Sequence, residues 1–437
     1  MASLVKQPSL FPILLVNFVG TLGFSIVLPF LVFLVMKFGG NAILYGLLAA
    51  TYPAFQLIGS PILGRWSDIY GRKQVLLLSN IGTSVGWILF LFALSLPSEK
   101  SFSIDIAFLG TFVISVPLFV LFLARAVDGI TGGNISIANA YLADLSSDKT
   151  RSKNFGKMAI SSNLGFILGP ALAGILGGTI YGAILPVLAA LILSLVTLIV
   201  IGFLLRDSNP SSEEIFVPEE GTIRKVFSQE CKEPYLTISR TKKKPRLRDV
   251  FKLKHISFLL LLYFLIFLGF NIYYAAFPTH AANDLKWSVT QLGIFYAVLS
   301  GIMALVQGPV LRKALKKFSE EKLVVIGSLI LGTNFILFVS NNIVSVGGAV
   351  ILFAVGNGLM WPSFMSILSR RAGTKLQGAV QGIAGSFGGL ASIIGLTLGG
   401  FLYNSIGGFT FLISAGVILV IFVMSFQLLM DRNSDLI

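Results

Sequence analysis

The chain consists of long apolar runs separated by short polar loops. Twelve runs of about twenty residues can be marked, each long enough to cross a hydrocarbon core of roughly 30 Å. Strands of a membrane β-barrel would be about ten residues long with alternating character, so the pattern predicts helices. The chain is therefore predicted to be an all-α polytopic membrane protein. The predicted spans are 9–36, 42–64, 74–97, 117–144, 157–178, 183–205, 255–280, 289–311, 323–340, 345–368, 376–402 and 408–430.

Charged residues are few and unevenly placed. The chain is 55% hydrophobic and 12% charged, unlike a soluble domain. Lys37, Lys100 and Lys286 occupy loops of one parity, whereas every other Lys or Arg except Arg125 lies in the termini or the remaining loops. This positive-inside bias predicts a multi-pass protein of the cell (inner or plasma) membrane with both termini cytoplasmic. The net charge of +14 then reflects topology and attraction to membrane lipid, not a nucleic-acid partner.

A polar segment divides the spans into two groups of six. The predicted domains are an N-terminal six-helix bundle at 1–205, a cytoplasmic linker at 206–254, a C-terminal six-helix bundle at 255–430 and a cytoplasmic tail at 431–437. Three glycines of the first half recur in the second at a constant offset of 222 residues. Parallel six-span repeats occur in transporters whose site lies at the midplane between the repeats.

The segment that precedes the fourth span is unusually long. Residues 98–117 are apolar and rich in β-branched side chains, but too short after their charged start for a further span. Two interpretations stay open. The segment is an interfacial or lid-like insertion, or it is a long, tilted start of the fourth span that is broken at Pro117.

The loop between the second and third spans carries a dense motif. Its sequence, GRWSDIYGRK, resembles G-x-x-x-D-R-x-G-R-[RK], the signature of the major facilitator superfamily in this loop. Glycines permit a tight turn with close helix approach. The resemblance implies a conformational latch on the cytoplasmic side, although Ile69 replaces the usual arginine. The predicted latch residues are Gly64, Asp68, Gly71, Arg72 and Lys73.

The fourth span contains both Arg125 and Asp128. A charge at the bilayer centre costs roughly 2.5–3.5 kcal/mol on insertion scales, so charges there indicate function. The spacing of three places both side chains on one helical face, where they can pair. Leu121-x-x-x-Arg125-x-x-x-Gly129 also resembles the family motif l-x-x-x-R-x-x-q-G. The two are predicted to couple transport to protons; a static ion pair that orients helices is the alternative.

The fifth span carries Gly165, Gly169, Pro170 and Gly174, which resemble g-x-x-x-G-P-x-x-x-G, the antiporter motif of the same family. The resemblance extends over essentially the whole chain. Within the family, the chain resembles twelve-span drug/proton antiporters of the tetracycline-exporter type. It implies the major facilitator fold, with 12 transmembrane helices in two six-helix bundles related by pseudo-two-fold symmetry. It also implies proton-driven efflux of a small amphipathic drug-like compound or metabolite by alternating access. We expect a functional monomer.

Polar and aromatic residues inside apolar spans are the candidates for substrate binding, because midplane cavities combine apolar walls with a few polar groups. Each could instead join neighbouring helices. At 100° per residue, Asn139 falls on the same stripe as Asp128, and this stripe is predicted to line a central cavity. His280 could titrate but has no assigned partner. The candidates are Asn17, Gln56, Asn139, Asn271, Tyr274, Tyr296, Gln307, Asn357 and Trp361.

Two other functions stay open: a proton-coupled importer of a sugar, organic anion or siderophore, and a non-transporting membrane sensor. Related exporters often carry an acid in the first span, where this chain has Asn17, so Asp128 must carry most of any proton coupling. We expect no enzymatic activity and no cofactor, because neither a nucleophile–base constellation nor a metal-ligand cluster stands out. The phosphate-binding loop of ATP-driven pumps is also missing from the sequence.

Overall fold

The computed structural model describes residues 10–97, 101–106, 110–146, 150–205, 250–253, 255–340 and 342–434. Helices dominate, as the apolar runs predict. In chain order they are α1 Phe11–Ile26, α2 Leu31–Lys37, α3 Ala42–Tyr70, α4 Arg72–Ser95, α5 Val116–Ile130, α6 Asn134–Asp144, α7 Arg151–Gly177, α8 Ile184–Leu204, α9 Ile256–Asn283, α10 Val289–Leu305, α11 Leu311–Ala314, α12 Glu320–Leu337, α13 Ile343–Ile406 and α14 Thr410–Ser434. A π-turn, Val306–Val310, joins α10 to α11.

Ten stretches of the described chain are long and apolar enough to cross a membrane. The last, Ala379–Met430, contains two helices, since the helical path is interrupted at Gly407 between α13 and α14. Helix α12 is not among the ten, because its first three residues are all charged. The described residues are therefore compatible with the twelve predicted spans, and the chain is a multi-pass, helical membrane protein.

The first predicted span, 9–36, is not one continuous helix. Pro29 has no N–H to donate to the carbonyl of Ser25, so α1 ends there. The N–H of Leu28 donates to this carbonyl instead, at 3.2 Å. The chain resumes as α2, and Phe11–Lys37 still forms one apolar stretch of 27 residues.

The fourth predicted span, 117–144, is also two helices, with a break at 131–133 between α5 and α6. Inside a membrane, the backbone groups freed by such a break need partners from neighbouring helices. Gln56 Nε2 donates to the Gly132 carbonyl at 2.8 Å, and Ser79 Oγ donates to the Thr131 carbonyl. The predicted stripe from Asp128 to Asn139 assumed an unbroken helix, so that assumption was wrong.

The segment before the fourth span forms an antiparallel hairpin. Strand β1, Ser101–Ile106, pairs with β2, Gly110–Ser115, with Ser101 opposite Ser115. Helix α5 follows at once and takes Pro117 in its first turn, where the missing N–H costs nothing. The interpretation of 98–117 as a tilted start of the fourth span was therefore wrong, and the segment is an insertion between α4 and α5.

Other differences concern the second half. The predicted spans 345–368 and 376–402 lie on the two helical segments of α13, which meet at a kink where the backbone of Gly373 is not helical (φ 63°, ψ 174°). Helix α14 continues to Ser434, while the last apolar stretch ends at Met430, and the cytoplasmic tail at 431–437 stays a prediction. Residues 206–249, most of the predicted linker, lie outside the described residues. The division into bundles at 1–205 and 255–430 stays a prediction.

The helix assembly has two ends, which carry different elements. The hairpin face is the end where α4 ends, the hairpin lies and α5 begins; the terminal face is the opposite end, where α1 begins and α8 ends. Helix α3 packs along the second half of α13, and α7 packs along α10. Each of these contacts joins a helix that precedes residue 206 to one that follows residue 254.

Candidate functional site

Arg125 and Asp128 lie together inside the first group of helices. Arg125 Nη1 is 3.6 Å from Asp128 Oδ2, and the Arg125 side chain is only 6% exposed. The guanidinium carbon also lies 4.7 Å from the ring centre of Tyr52, close enough for a cation–π interaction. Arg125 Nε has no hydrogen-bond partner among the described residues. Removing either charge would therefore leave the other buried and poorly compensated.

Asp128 opens into a small cavity of about 30 Å³. A single water needs about 10–15 Å³ of such volume, so the cavity has room for about two or three water molecules and for no drug-sized compound. Its walls come from α1, α3, α4, α8 and the broken fourth span, all of them before residue 206. The polar lining residues are Tyr52, Asn80, Thr83, Asp128, Asn134 and Ser194. This geometry suits water beside a carboxylate better than a substrate site.

Three predicted substrate residues join neighbouring helices instead. Asn17 Nδ2 donates to Ser162 Oγ at 2.7 Å and to the Met158 carbonyl at 3.1 Å, which ties α1 to α7. Asn271 Nδ2 donates to Ser392 Oγ at 3.0 Å and so ties α9 to α13. Gln56 holds the break of the fourth span through the Gly132 carbonyl. The amide nitrogens thus bond within the protein, whereas Asn17 Oδ1 is buried without a hydrogen-bond partner among the described residues, and a role of these three residues in substrate binding stays a prediction.

The other substrate candidates are less occupied. Tyr296 is 3% exposed, and its hydroxyl has no hydrogen-bond partner among the described residues. Asn357 donates to the Met303 sulfur, while its buried carbonyl oxygen has no such partner. The Trp361 ring packs against Tyr263 at 5.5 Å. The last three candidates are half-buried and have no described side-chain hydrogen bond: Asn139, Tyr274 and Gln307.

Two of the predicted latch residues, Asp68 and Arg72, form an ionic cluster with Asp144 at the terminal face. Arg72 Nη1 lies 2.6 Å from Asp68 Oδ1, and Arg72 Nε lies 3.1 Å from Asp144 Oδ2 at the end of α6. Ser67 Oγ also accepts from Arg72, at 2.6 Å. Arg72 therefore joins the motif to the fourth span. The sequence did not predict Asp144 as its partner, because the two residues are 72 positions apart.

The second half carries a similar ionic cluster at the start of α12, but there the acids lie at the start of the helix and the base comes from α13. Arg370 Nη2 lies 2.9 Å from both Glu320 Oε2 and Glu321 Oε1. When Gly71-Arg72-Lys73 is aligned with Glu320-Glu321-Lys322, at an offset of 249 residues in this part of the repeat, Arg72 corresponds to Glu321, so the base and the acid exchange places between the halves. Arg370 was not predicted from the sequence, although the charge reversal at Glu321 was the available signal.

Gly71 is the single residue between α3 and α4, and its φ of 96° with ψ of 148° suits glycine. We expect Gly71→Ala to destabilise the protein by about 1–3 kcal/mol, because a Cβ strains that backbone conformation. Gly64→Ala is the matched control, since Gly64 is helical and a Cβ there meets nothing within 4 Å. Thermal unfolding in detergent should show a lower midpoint for Gly71→Ala alone; equal midpoints would contradict the argument.

The antiporter motif serves two different helix contacts. A Cβ on Gly165 or Gly169 would collide with Thr21 or Ser25 of α1. A Cβ on Gly174 would instead lie 3.0 Å from the Cα of Gly293 on α10. The first two glycines therefore pack α7 on its neighbour α1, while the last lets α7 approach a helix of the other half.

The two largest contacts between the halves, α3 with α13 and α7 with α10, bring backbone against backbone near the hairpin face. A Cβ on Gly293 would lie 2.5 Å from Gly174 Cα, and one on Gly46 would lie 2.5 Å from the Leu396 carbonyl oxygen and 3.0 Å from Gly400 Cα. Towards the terminal face of α13, Gly382 and Gly385 have nothing within 4 Å of such an atom. The halves are thus closed against each other at the hairpin face.

Comparison with known families decides what kind of protein this is. The model of the Major Facilitator Superfamily matches residues 13–396, and a second match covers residues 259–436. The chain belongs to the Major Facilitator Superfamily. The predicted family and fold are thereby confirmed.

Relatives of this major facilitator protein are named for drug resistance. It is 28% identical over 415 residues to a class E tetracycline resistance protein of Escherichia coli, covering 93% of this chain and 92% of the relative. It is 27% identical to multidrug resistance protein 2 of Bacillus subtilis (strain 168), covering 96% and 94%. The solved structure of a D-xylose–proton symporter matches with a TM-score of 0.70 at 17% identity, covering 95% of this chain and 97% of that one. The first two bear out the suggested exporter type, and the third shows the fold.

Proposed function

We propose that this transporter exports a small amphipathic, drug-like compound in exchange for protons, by alternating access. The observation that carries the proposal is Asp128: an acid inside the apolar region, beside Arg125, in a cavity of the size of water. A carboxylate reached by water can bind and release a proton, and a nearby guanidinium favours its charged form while burial disfavours it. The pair can therefore respond to a change in water access.

Closure at the hairpin face supports the alternating-access part. If Gly46–Gly400 and Gly174–Gly293 seal that face in the present state, a second state must separate them to release substrate there. Protonation and substrate would each favour one state, and their competition would couple the two fluxes. The Arg72 and Arg370 clusters bind helix ends at the other face, where a latch would act.

The substrate class rests on the relatives and on three of the candidate side chains. Proteins named for tetracycline and multidrug resistance are similar over nearly the whole chain. Tyr296 and Asn357 have polar atoms without partners among the described residues and Trp361 offers an aromatic face, which suits a compound with a ring system and few polar groups. We propose function as a monomer in a cell (inner or plasma) membrane, with both termini cytoplasmic, as the charge distribution favours.

Transport by the purified protein in lipid vesicles tests this function. Vesicles that contain the protein, an imposed pH gradient and tetracycline or another amphipathic probe should accumulate the probe against its gradient when the lumen is acidic. A protonophore should abolish the accumulation. Accumulation under only the reversed gradient would indicate an importer, and a lack of counterflow for every probe would favour a sensor.

A further inference from the structure

Three ionisable side chains from two helices meet at the hairpin face. His280, near the end of α9, places Nδ1 at 2.8 Å from Asp284 Oδ2 and at 3.3 Å from the hydroxyl of Tyr403 on α13. The Tyr403 hydroxyl donates to the same oxygen of Asp284. Asp284 follows α9 directly, whereas Tyr403 lies 119 positions further along the chain. The cluster therefore fastens α9 to α13.

The two ends of the cluster differ in their access to water. His280 is 2% exposed, whereas the Asp284 side chain is 41% exposed. Because the exposed carboxylate holds the proton on Nδ1, the nitrogen left to take a second proton is Nε2, at the buried end of the cluster. Among the described residues, Asp284 is the charged group within ion-pair distance of His280. Around the ring also lie Tyr403 on α13, Phe411 on α14 and Gly408, and the last two are uncharged.

The second ring nitrogen of His280 is buried and has no hydrogen-bond partner among the described residues. In the neutral ring, with the proton on Nδ1, Nε2 carries only a lone pair. A second proton turns Nε2 into a donor, and a buried donor without an acceptor costs about 1–3 kcal/mol. That cost disappears if the helices part and Nε2 reaches water. Protonation of His280 is therefore compatible with an open hairpin face and opposed by the closed one.

Tyr403 lies one helical turn from the closed contact between the halves. It is three residues after Gly400, whose backbone meets Gly46 and the carbonyl of Ala42 on α3. A movement of α13 that exposes His280 therefore also acts on this contact.

We propose that His280, with Asp284 and Tyr403, forms a second proton-binding site, separate from Asp128, whose protonation from the hairpin face favours opening there. This rests on the alternating access of the proposed function. An acidic medium at the hairpin face would then favour separation of the contact between Gly46 and Gly400. Asp128, in contrast, exchanges protons inside the first half.

The first experiment observes protonation directly. The chain has two histidines, His255 and His280, so selective ¹³C labelling of histidine gives two imidazole signals. His255→Asn assigns them and suits the left-handed conformation at that residue. The His280 signal should titrate between pH 5 and 8, and its midpoint should move to lower pH in Asp284→Asn, because the carboxylate that stabilises the imidazolium is lost. A His280 signal that stays constant over this range overturns the proposal.

The second experiment observes opening. Ala42 is 5% exposed beside Gly400, so Ala42→Cys in a Cys231→Ser background should react with an impermeant maleimide only when the hairpin face opens. Each rate is divided by that of a free thiol at the same pH, because only the thiolate reacts and its fraction falls in acid. The normalised rate should be about fivefold or more higher at pH 5.5 than at pH 8, the lower range of measured coupling between sites. His280→Gln should remove this pH dependence, whereas His255→Asn should retain it.

The outcomes separate this site from the proposed function. If labelling keeps its pH dependence in His280→Gln but loses it in Asp128→Asn, the second site is wrong and proton coupling through Asp128 stands. If His280→Gln removes the dependence while Asp128→Asn retains it and no probe is transported, the site stands and the export proposal is wrong.

Discussion

Replacing Asp128 by asparagine is expected to abolish accumulation driven by a pH gradient while substrate exchange continues. Asparagine fills nearly the same volume in the cavity beside Arg125 but cannot exchange a proton. If one proton is exchanged per neutral substrate, a gradient of two pH units supports up to about 100-fold accumulation, since each unit is equivalent to about 1.36 kcal/mol. The variant should reach only the external concentration. Counterflow without a pH gradient, measured on the same vesicles, checks that it still binds and moves substrate.

The ion pair also offers a control against a purely structural role. Removing one partner of a buried pair costs about 3–5 kcal/mol, so Asp128→Asn alone could lose activity through instability. The double variant Arg125→Gln, Asp128→Asn removes both charges, and the thermal midpoint should recover towards that of the wild type. If the double variant also recovers gradient-driven accumulation, the pair orients helices and does not carry the coupling proton.

Short-range features of the fold and the site could be predicted from the sequence. The spans follow from apolar run length, and the approach of Arg125 to Asp128 follows from a spacing of three on a helix. Gly71 is in the conformation that its motif suggests. Each of these depends on residues within one or two turns of each other, where helical geometry determines the distance.

Features that depend on distant partners could not be predicted. The sequence does not reveal that Asn17 Nδ2 donates to Ser162 and to Met158, which lie 145 and 141 positions away. The partner of His280 on α13 was equally hidden, and only the acid at position 284 was near in sequence. The hairpin was missed because its β-branched residues also suit a helix start in an apolar context. A polar residue in a span has many possible neighbours, and packing alone selects among them.

Adding a methyl group to Gly46 is expected to open the hairpin face. The new Cβ would lie 2.5 Å from the Leu396 carbonyl oxygen and 3.0 Å from Gly400 Cα. Both are backbone atoms, so no side chain can rotate away and the helices themselves must separate. Overpacking of this kind costs about 1–3 kcal/mol, which shifts the equilibrium between closed and open states by roughly 5- to 150-fold.

The same substitution on α13 provides a control. Gly385→Ala adds a methyl group where nothing lies within 4 Å. Labelling of Ala42→Cys should therefore stay slow in the Gly385→Ala variant and become fast in the Gly46→Ala variant. Turnover should fall in Gly46→Ala, because each cycle must return through the closed state, while Gly385→Ala should transport normally. Equal labelling in the two variants would mean that the contact between α3 and α13 does not close the path. Gly46 does not belong to any of the three motifs recognised in the sequence. A large effect of Gly46→Ala would therefore mean that a gate lies outside these motifs, where the backbones of α3 and α13 pack directly on each other.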